Sequence, residues 1–201
     1  MDNIKSFIRD LNLNFVTNKD SVKIDISKRF NNRFIEYFLP NRKLIKYISK
    51  IGGVLTGSRA LKCYKINDKP IFVRHTNDWD FIVTLEMAYK ICDKFNINEI
   101  PISGDVISIT NHLLRIHPAY SSSYRIGPVD IHLIIKDELP EYLTINKMKL
   151  SNFIYIVNEK YKIIESFNTG SMITRINSEE KEKHIEDLKQ FIIKYNTSQI
   201  K

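Results

Sequence analysis

Cysteine is scarce in this chain: Cys63 and Cys92 stand far apart, with none of the close spacing that a zinc site needs. Both read as buried thiols of a reducing compartment. Long hydrophobic runs are lacking too. No stretch approaches the ~18 apolar residues of a membrane span, and the first residues do not have the pattern of a secretory signal. The expectation is a soluble, cytoplasmic protein. Internal repeats, low-complexity tracts and linker-like stretches are also missing, so 201 residues with 43% hydrophobic and 27% charged content fit one ordinary globular domain with helical extensions. Acidic residues are the scarcer charge, 23 against 31 Lys and Arg, which leaves a net charge of +8. That surplus suits an anionic partner such as RNA, DNA or a nucleotide, and it also serves plain solubility.

What is present concentrates in three short motifs. Gly52-Gly53-Val54-Leu55-Thr56-Gly57-Ser58 reads as a short apolar strand entering a tight turn, and Ser58-Arg59-Ala60-Leu61-Lys62 as the first turn of a helix capped by Ser58. Backbone N–H groups at such a start bind phosphate oxygens, and glycine lets a phosphate approach the chain, although Gly-Ser turns also occur where nothing binds. Asp78 and Asp80 then head an apolar run. Alternation along a strand puts both carboxylates on one face and Trp79 on the other, buried one. Two carboxylates so close repel each other unless a cation lies between them. Hard divalent ions take such oxygen ligands, which makes magnesium the natural occupant and manganese its substitute.

The third motif is the run Val129 to Ile135, in which Val129, Ile131, Leu133 and Ile135 share one face and Asp130 and His132 the other. If this strand lies beside the first, Asp78, Asp80 and Asp130 converge, and three acids can hold two metal ions ~3.5–4 Å apart. Asp105 competes for the third place, but its Ser-Gly-Asp setting reads as a turn. His132 reads first as a packed, hydrogen-bonded strand residue and only second as a metal or substrate contact. Between His75 and Arg74, Arg74 is the better phosphate contact, because a permanent guanidinium suits developing negative charge.

Together, Leu55-Thr56-Gly57-Ser58, Asn77-Asp78-Trp79-Asp80-Phe81-Ile82-Val83 and Val129-Asp130-Ile131-His132 resemble the nucleotidyltransferase superfamily typified by DNA polymerase beta, as a small single-domain member. The resemblance implies that Gly57 and Ser58 contact the triphosphate, with Arg59, Lys62 and Arg74 as further nucleotide-binding candidates. It implies that Asp78 and Asp80 bind two magnesium ions and that Asp130 completes the catalytic metal site near the acceptor hydroxyl. One departure is the nineteen residues between Ser58 and Asp78, longer than in compact members. The surplus, roughly Lys65 to His75, reads as a β-hairpin arm or an acceptor-binding loop. Lys181 to Leu188 loosely resembles the closing helix of small bacterial and viral members.

Elsewhere the pattern predicts elements without chemistry. Ile4, Phe7, Ile8 and Leu11 recur at helical spacing, and Arg42 to Ile51 reads as a helix, so residues 1–50 form a basic helical extension to a domain spanning 51–201. Glu86 to Phe95 predicts a core-facing helix and Val106 to Thr110 a strand. In Phe153 to Ile164, two apolar runs joined by Asn158-Glu159-Lys160 suggest a β-hairpin, with a helix as the competing reading. Glu165 to Ile176 and Ser178 to Tyr195 read as helices.

The expected architecture is α+β: a mixed, mainly antiparallel sheet carrying the acids, helices on one side, and helical N- and C-terminal segments. The implied reaction moves a nucleoside monophosphate from a nucleoside triphosphate to a hydroxyl. Lys28, Arg29, Arg33, Arg42, Lys43 and Lys46 tip the acceptor toward RNA or tRNA, while a protein side-chain hydroxyl and a small molecule stay open. A catalytically inactive version, serving as a nucleic-acid-binding or structural subunit with a protein partner, is the rival from another class. A metal-dependent nuclease would also cluster acids but leaves the Gly-Ser start unexplained.

Overall fold

The computed structural model describes residues 22–24, 42–66, 69–70, 78–96, 100–109, 114–118, 131–145, 147–168 and 178–199. Its elements run β1 (Val22–Ile24), α1 (Arg42–Ile51), β2 (Val54–Thr56), α2 (Gly57–Leu61), β3 (Tyr64–Ile66), β4 (Lys69–Pro70), β5 (Trp79–Val83) and α3 (Leu85–Lys94). They continue with β6 (Asp105–Ile109), β7 (Leu114–Pro118), β8 (Ile131–Ile135), β9 (Tyr142–Ile145), β10 (Met148–Ser151), α4 (Phe153–Asn168) and α5 (Ser178–Gln199). The amphipathic run at the N-terminus and the segment from Tyr120 to Gly127 lie outside the described residues.

Seven strands form one sheet in the order β7-β6-β8-β5-β2-β10-β9. The pairs β5/β8 and β2/β10 are parallel and the other four are antiparallel, so the sheet is mixed and mainly antiparallel, as expected. A second, three-stranded sheet joins β1, β3 and β4. Its β3/β4 pairing, Lys65↔Pro70 and Ile66↔Lys69, makes the start of the long insert a hairpin.

Strand alternation decides what the large sheet buries. Leu55, Trp79, Phe81, Val83, Ile107, Ile131, Leu133 and Ile135 all enter one apolar cluster. Every described helix contributes to that cluster: Leu44, Ile45 and Ile48 from α1, Ala60 and Leu61 from α2, Ala88 and Ile91 from α3, Phe153 and Ile164 from α4, Leu188 and Phe191 from α5. Val54, Ile82 and Val106, whose side chains point to the opposite face, are buried but do not belong to it. The helices therefore cover the face that carries Trp79 and leave the carboxylate face apart.

Phe153 to Ile164 corrects the hairpin reading. It is the start of a sixteen-residue helix whose buried residues, among the described ones, are Phe153, Ile156, Val157, Lys160, Tyr161 and Ile164. Those positions follow the i, i+3, i+4, i+7 repeat, and the polar trio taken for a turn contains an inward-facing lysine. Asn152 starts the helix, its side-chain oxygen accepting from the Ile154 N–H at 2.9 Å. The expected helices at Arg42 and Glu86 and the strand at Val106 form within a residue of their predicted limits. No described helix is long and apolar enough to cross a membrane.

Candidate functional site

Four adjacent strands place one residue each in a polar row across the sheet. Thr56 of β2 pairs with Asp80 of β5, Asp80 with His132 of β8, and His132 with Ser108 of β6. Paired residues share a face, so all four side chains stand on the face away from the helical core. Thr56 and Ser108 are buried, while Asp80 and His132 remain partly open, at 21% and 30% side-chain exposure. His132 Nδ1 lies 3.0 Å from Asp80 Oδ1, a hydrogen bond when Nδ1 carries the proton. Asp78, two residues before Asp80, projects to the same side, and ligand atoms of Asp78, Asp80 and His132 all lie within 4.8 Å of one another. Trp79 turns the other way and is 1% exposed, as strand alternation requires.

The turn after β2 meets this cluster directly. Gly57 has φ +67°, and a Cβ built there would overlap the Asp80 carboxylate. Both the left-handed backbone and the close approach demand glycine. Gly57→Ala should therefore cost about 1–3 kcal/mol and push Asp80 off its position. Urea unfolding followed by the fluorescence of the single tryptophan measures the first effect.

The helix that follows is not capped by Ser58. Thr56, in an extended conformation, holds the N-cap position without a side-chain cap bond, and Ser58 lies inside the first turn. The Ser58 hydroxyl instead accepts from Lys160 Nζ at 3.0 Å. Lys160 also donates to Asp187 Oδ2 at 3.0 Å and lies 3.4 Å from His184 Nδ1, which joins α4 and α5 to the Gly-Ser turn. Lys160 is 4% exposed and Asp187 5%. Lys160, in the polar trio Asn158-Glu159-Lys160, did not announce this in the sequence. The signal that would have found it is the helical stripe of α4, which has Lys160 at an inward position.

Arg59 takes a different place from the expected phosphate contact. It is 4% exposed, its Nε donates to the Asp78 carbonyl at 2.9 Å, and its guanidinium lies 4.4 Å from the centre of the Trp79 ring. The side chain turns inward because the flat cation finds an aromatic face and a carbonyl together. Burial pulls its pKa below the ordinary value against the opposing influence of Asp78 and Asp80, and a guanidinium stays charged near neutrality regardless. Arg59 thus fixes the backbone that presents Asp78. Lys62 follows α2 and is half-exposed. Asp105 opens β6 after a turn at Gly104, its carboxylate accepting from the Ile102 N–H at 3.0 Å, as the Ser-Gly-Asp reading expected. Asp130, Arg74 and His75 lie outside the described residues.

The donor set suits a divalent cation: two half-buried carboxylates and an imidazole at the start of β5 and on the paired β8, beside a glycine whose missing side chain leaves the Asp80 carboxylate room. No protein-family profile matches the chain, and no curated protein matches it. Among solved structures it is similar to the Megavirus polyadenylate synthase, with a TM-score of 0.45 and 10% sequence identity over 97% of this chain and 38% of that one. The chain thus spans well under half the length of that enzyme.

Proposed function

We propose that this protein transfers a nucleoside monophosphate from a nucleoside triphosphate to an acceptor hydroxyl, releasing pyrophosphate, and that the acceptor is the 3′ end of an RNA. The observation that carries the reading is the convergence of Asp78 and Asp80, with the Asp80 carboxylate against a turn that only glycine fits. A scaffold has no use for two carboxylates held this close, since their mutual repulsion works against folding. Asp130 completes the set in this reading: it immediately precedes Ile131, whose β-partner is Trp79, and Asp78 immediately precedes Trp79.

Bound divalent ions supply charge neutralisation at the triphosphate and a lowered pKa at the acceptor hydroxyl. The chain's own residues position the reactants. Asp78 and Asp80 hold the ions, the Gly57-Ser58 turn takes the outer phosphates, and Lys62 and Arg74 add positive charge beside them. Arg59 and the Lys160 network keep the turn and the Asp78 backbone in register, so that little reorganisation is left for the reaction. RNA is favoured over the other acceptors by the net charge of +8.

The test is label transfer. The full chain is incubated with each labelled nucleoside triphosphate, magnesium or manganese, and either total RNA or total protein. Label on RNA is the expected result. Label on protein moves the acceptor to a side-chain hydroxyl, and label on neither with any nucleotide overturns the reading.

A further inference from the structure

The resemblance accounts for carboxylates at this site, but not for an imidazole in the middle of them. His132 pairs in register with Asp80 on the neighbouring parallel strand, its Nδ1 stands 3.0 Å from Asp80 Oδ1, and its side chain is 30% exposed. It stands on the face away from the helical core, on the same side as the partly buried Ile134 and opposite to Ile131 and Leu133. Its ring shares the space of the two carboxylates, and the 3.0 Å between Nδ1 and Asp80 Oδ1 is the separation of two adjacent donors that each lie ~2.0–2.2 Å from one first-row ion.

We infer that His132, in the tautomer with its proton on Nε2, is a metal ligand through Nδ1 in place of the hydrogen bond to Asp80, and that it makes this centre selective for a divalent transition ion, manganese being the probe, over magnesium. The inference rests on the metal-dependent reading above and adds the identity of the ion. The chemistry is that of the donor set. Magnesium is hard, demands near-ideal octahedral oxygen coordination and gives up water reluctantly. An imidazole nitrogen in place of one oxygen offers magnesium little. Affinity for nitrogen-containing sites rises along the first transition row, and manganese accepts the same carboxylate-rich octahedral arrangement as magnesium. Asp78 and Asp80 thus supply affinity for any divalent cation, and His132 sets the preference among them. The geometry favours this role because β5 and β8 are paired along five consecutive residues, which fixes the imidazole relative to both acids before any ion arrives.

The experiment uses the tag-free full chain and reads binding rather than turnover. Free manganese is followed by its electron paramagnetic resonance signal during titration, magnesium is added as competitor, and pulsed measurements on the bound ion look for coupling to imidazole nitrogen. The parent should bind manganese at least about tenfold more tightly than magnesium and show the nitrogen coupling. His132→Asn offers oxygen in place of the ring nitrogen. It should lose that coupling and narrow the manganese preference by roughly tenfold, within the range a metal-site substitution typically produces. His132→Asp, with a carboxylate there, should bind magnesium more tightly than His132→Asn does. Circular dichroism and Trp79 fluorescence establish that each variant is folded.

A parent without nitrogen coupling, or a folded His132→Asn variant with the parent's ion preference, overturns the inference. The acid-based reading then survives if Asp78→Ala, Asp80→Ala still abolishes manganese binding. A parent that binds no manganese at millimolar concentration with nucleotide present overturns both.

Discussion

The Asp78→Ala, Asp80→Ala double variant is expected to transfer label at the background rate, roughly 10³-fold or more below the parent, since removing a single preorganised charge-stabilising group already costs ~10²–10³. The same substitutions should leave the fold standing. Both side chains are half-buried on the face away from the helical core, and the contact that fixes this backbone, from Arg59 Nε to the Asp78 carbonyl, does not involve a carboxylate. Removing two neighbouring like charges relieves repulsion but also takes negative charge from beside the buried Arg59 guanidinium, so the two effects oppose each other and urea unfolding should shift little. A double variant that labels as well as the parent would place the chemistry elsewhere. A double variant that fails to fold would mean that the carboxylates hold the strand rather than a ligand.

Lys160→Ala is expected to lower stability by about 3–5 kcal/mol, the usual cost of removing one member of a buried ion pair. Its ammonium joins Ser58 and Asp187 from three separate elements at 3.0 Å each, in a place where both charged side chains are nearly sealed from water. Without the cation, the Asp187 carboxylate keeps its desolvation cost and loses the ammonium 3.0 Å away. The double variant Lys160→Met, Asp187→Leu should recover most of that loss, because an apolar pair of similar size removes both charges together. Chemical denaturation monitored at Trp79 compares the three proteins. If Lys160→Ala unfolds at the parent's midpoint, the pair contributes little, and its proposed part in holding the Gly-Ser turn goes with it.

These two sites differ in how far the sequence announces them. Asp78 and Asp80 are legible because a strand has a period of two, and one apolar run is enough to place both acids opposite Trp79. The limits of α1, α3 and β6 are legible for the same reason: local periodicity and nearby polar residues mark them. The hairpin expected at Phe153 shows where such reasoning breaks. Lysine is rarely buried unless paired, so Asn158-Glu159-Lys160 looked like a solvated turn. Asp187 and Ser58, on other helices, let Lys160 face inward and complete the stripe of α4.

Arg59 and His132 follow the same rule. Next to a Gly-Ser turn an arginine reads as a phosphate contact, until Trp79, twenty residues on, supplies an aromatic face and draws the guanidinium inward. A lone histidine in a strand reads as packing, until the β5/β8 register sets it beside Asp80, 52 residues away.

By itself the sequence determined the α+β class, the acid pair and its face, and the glycine turn, because each of these depends on residues within a few positions of one another. The tertiary structure decided which of the remaining polar groups meet: the imidazole beside Asp80, the lysine beneath Ser58, the guanidinium on Trp79. Those contacts depend on strand order and helix docking, which are set by the burial of apolar surface from the whole chain and leave no local trace in the residues that they bring together.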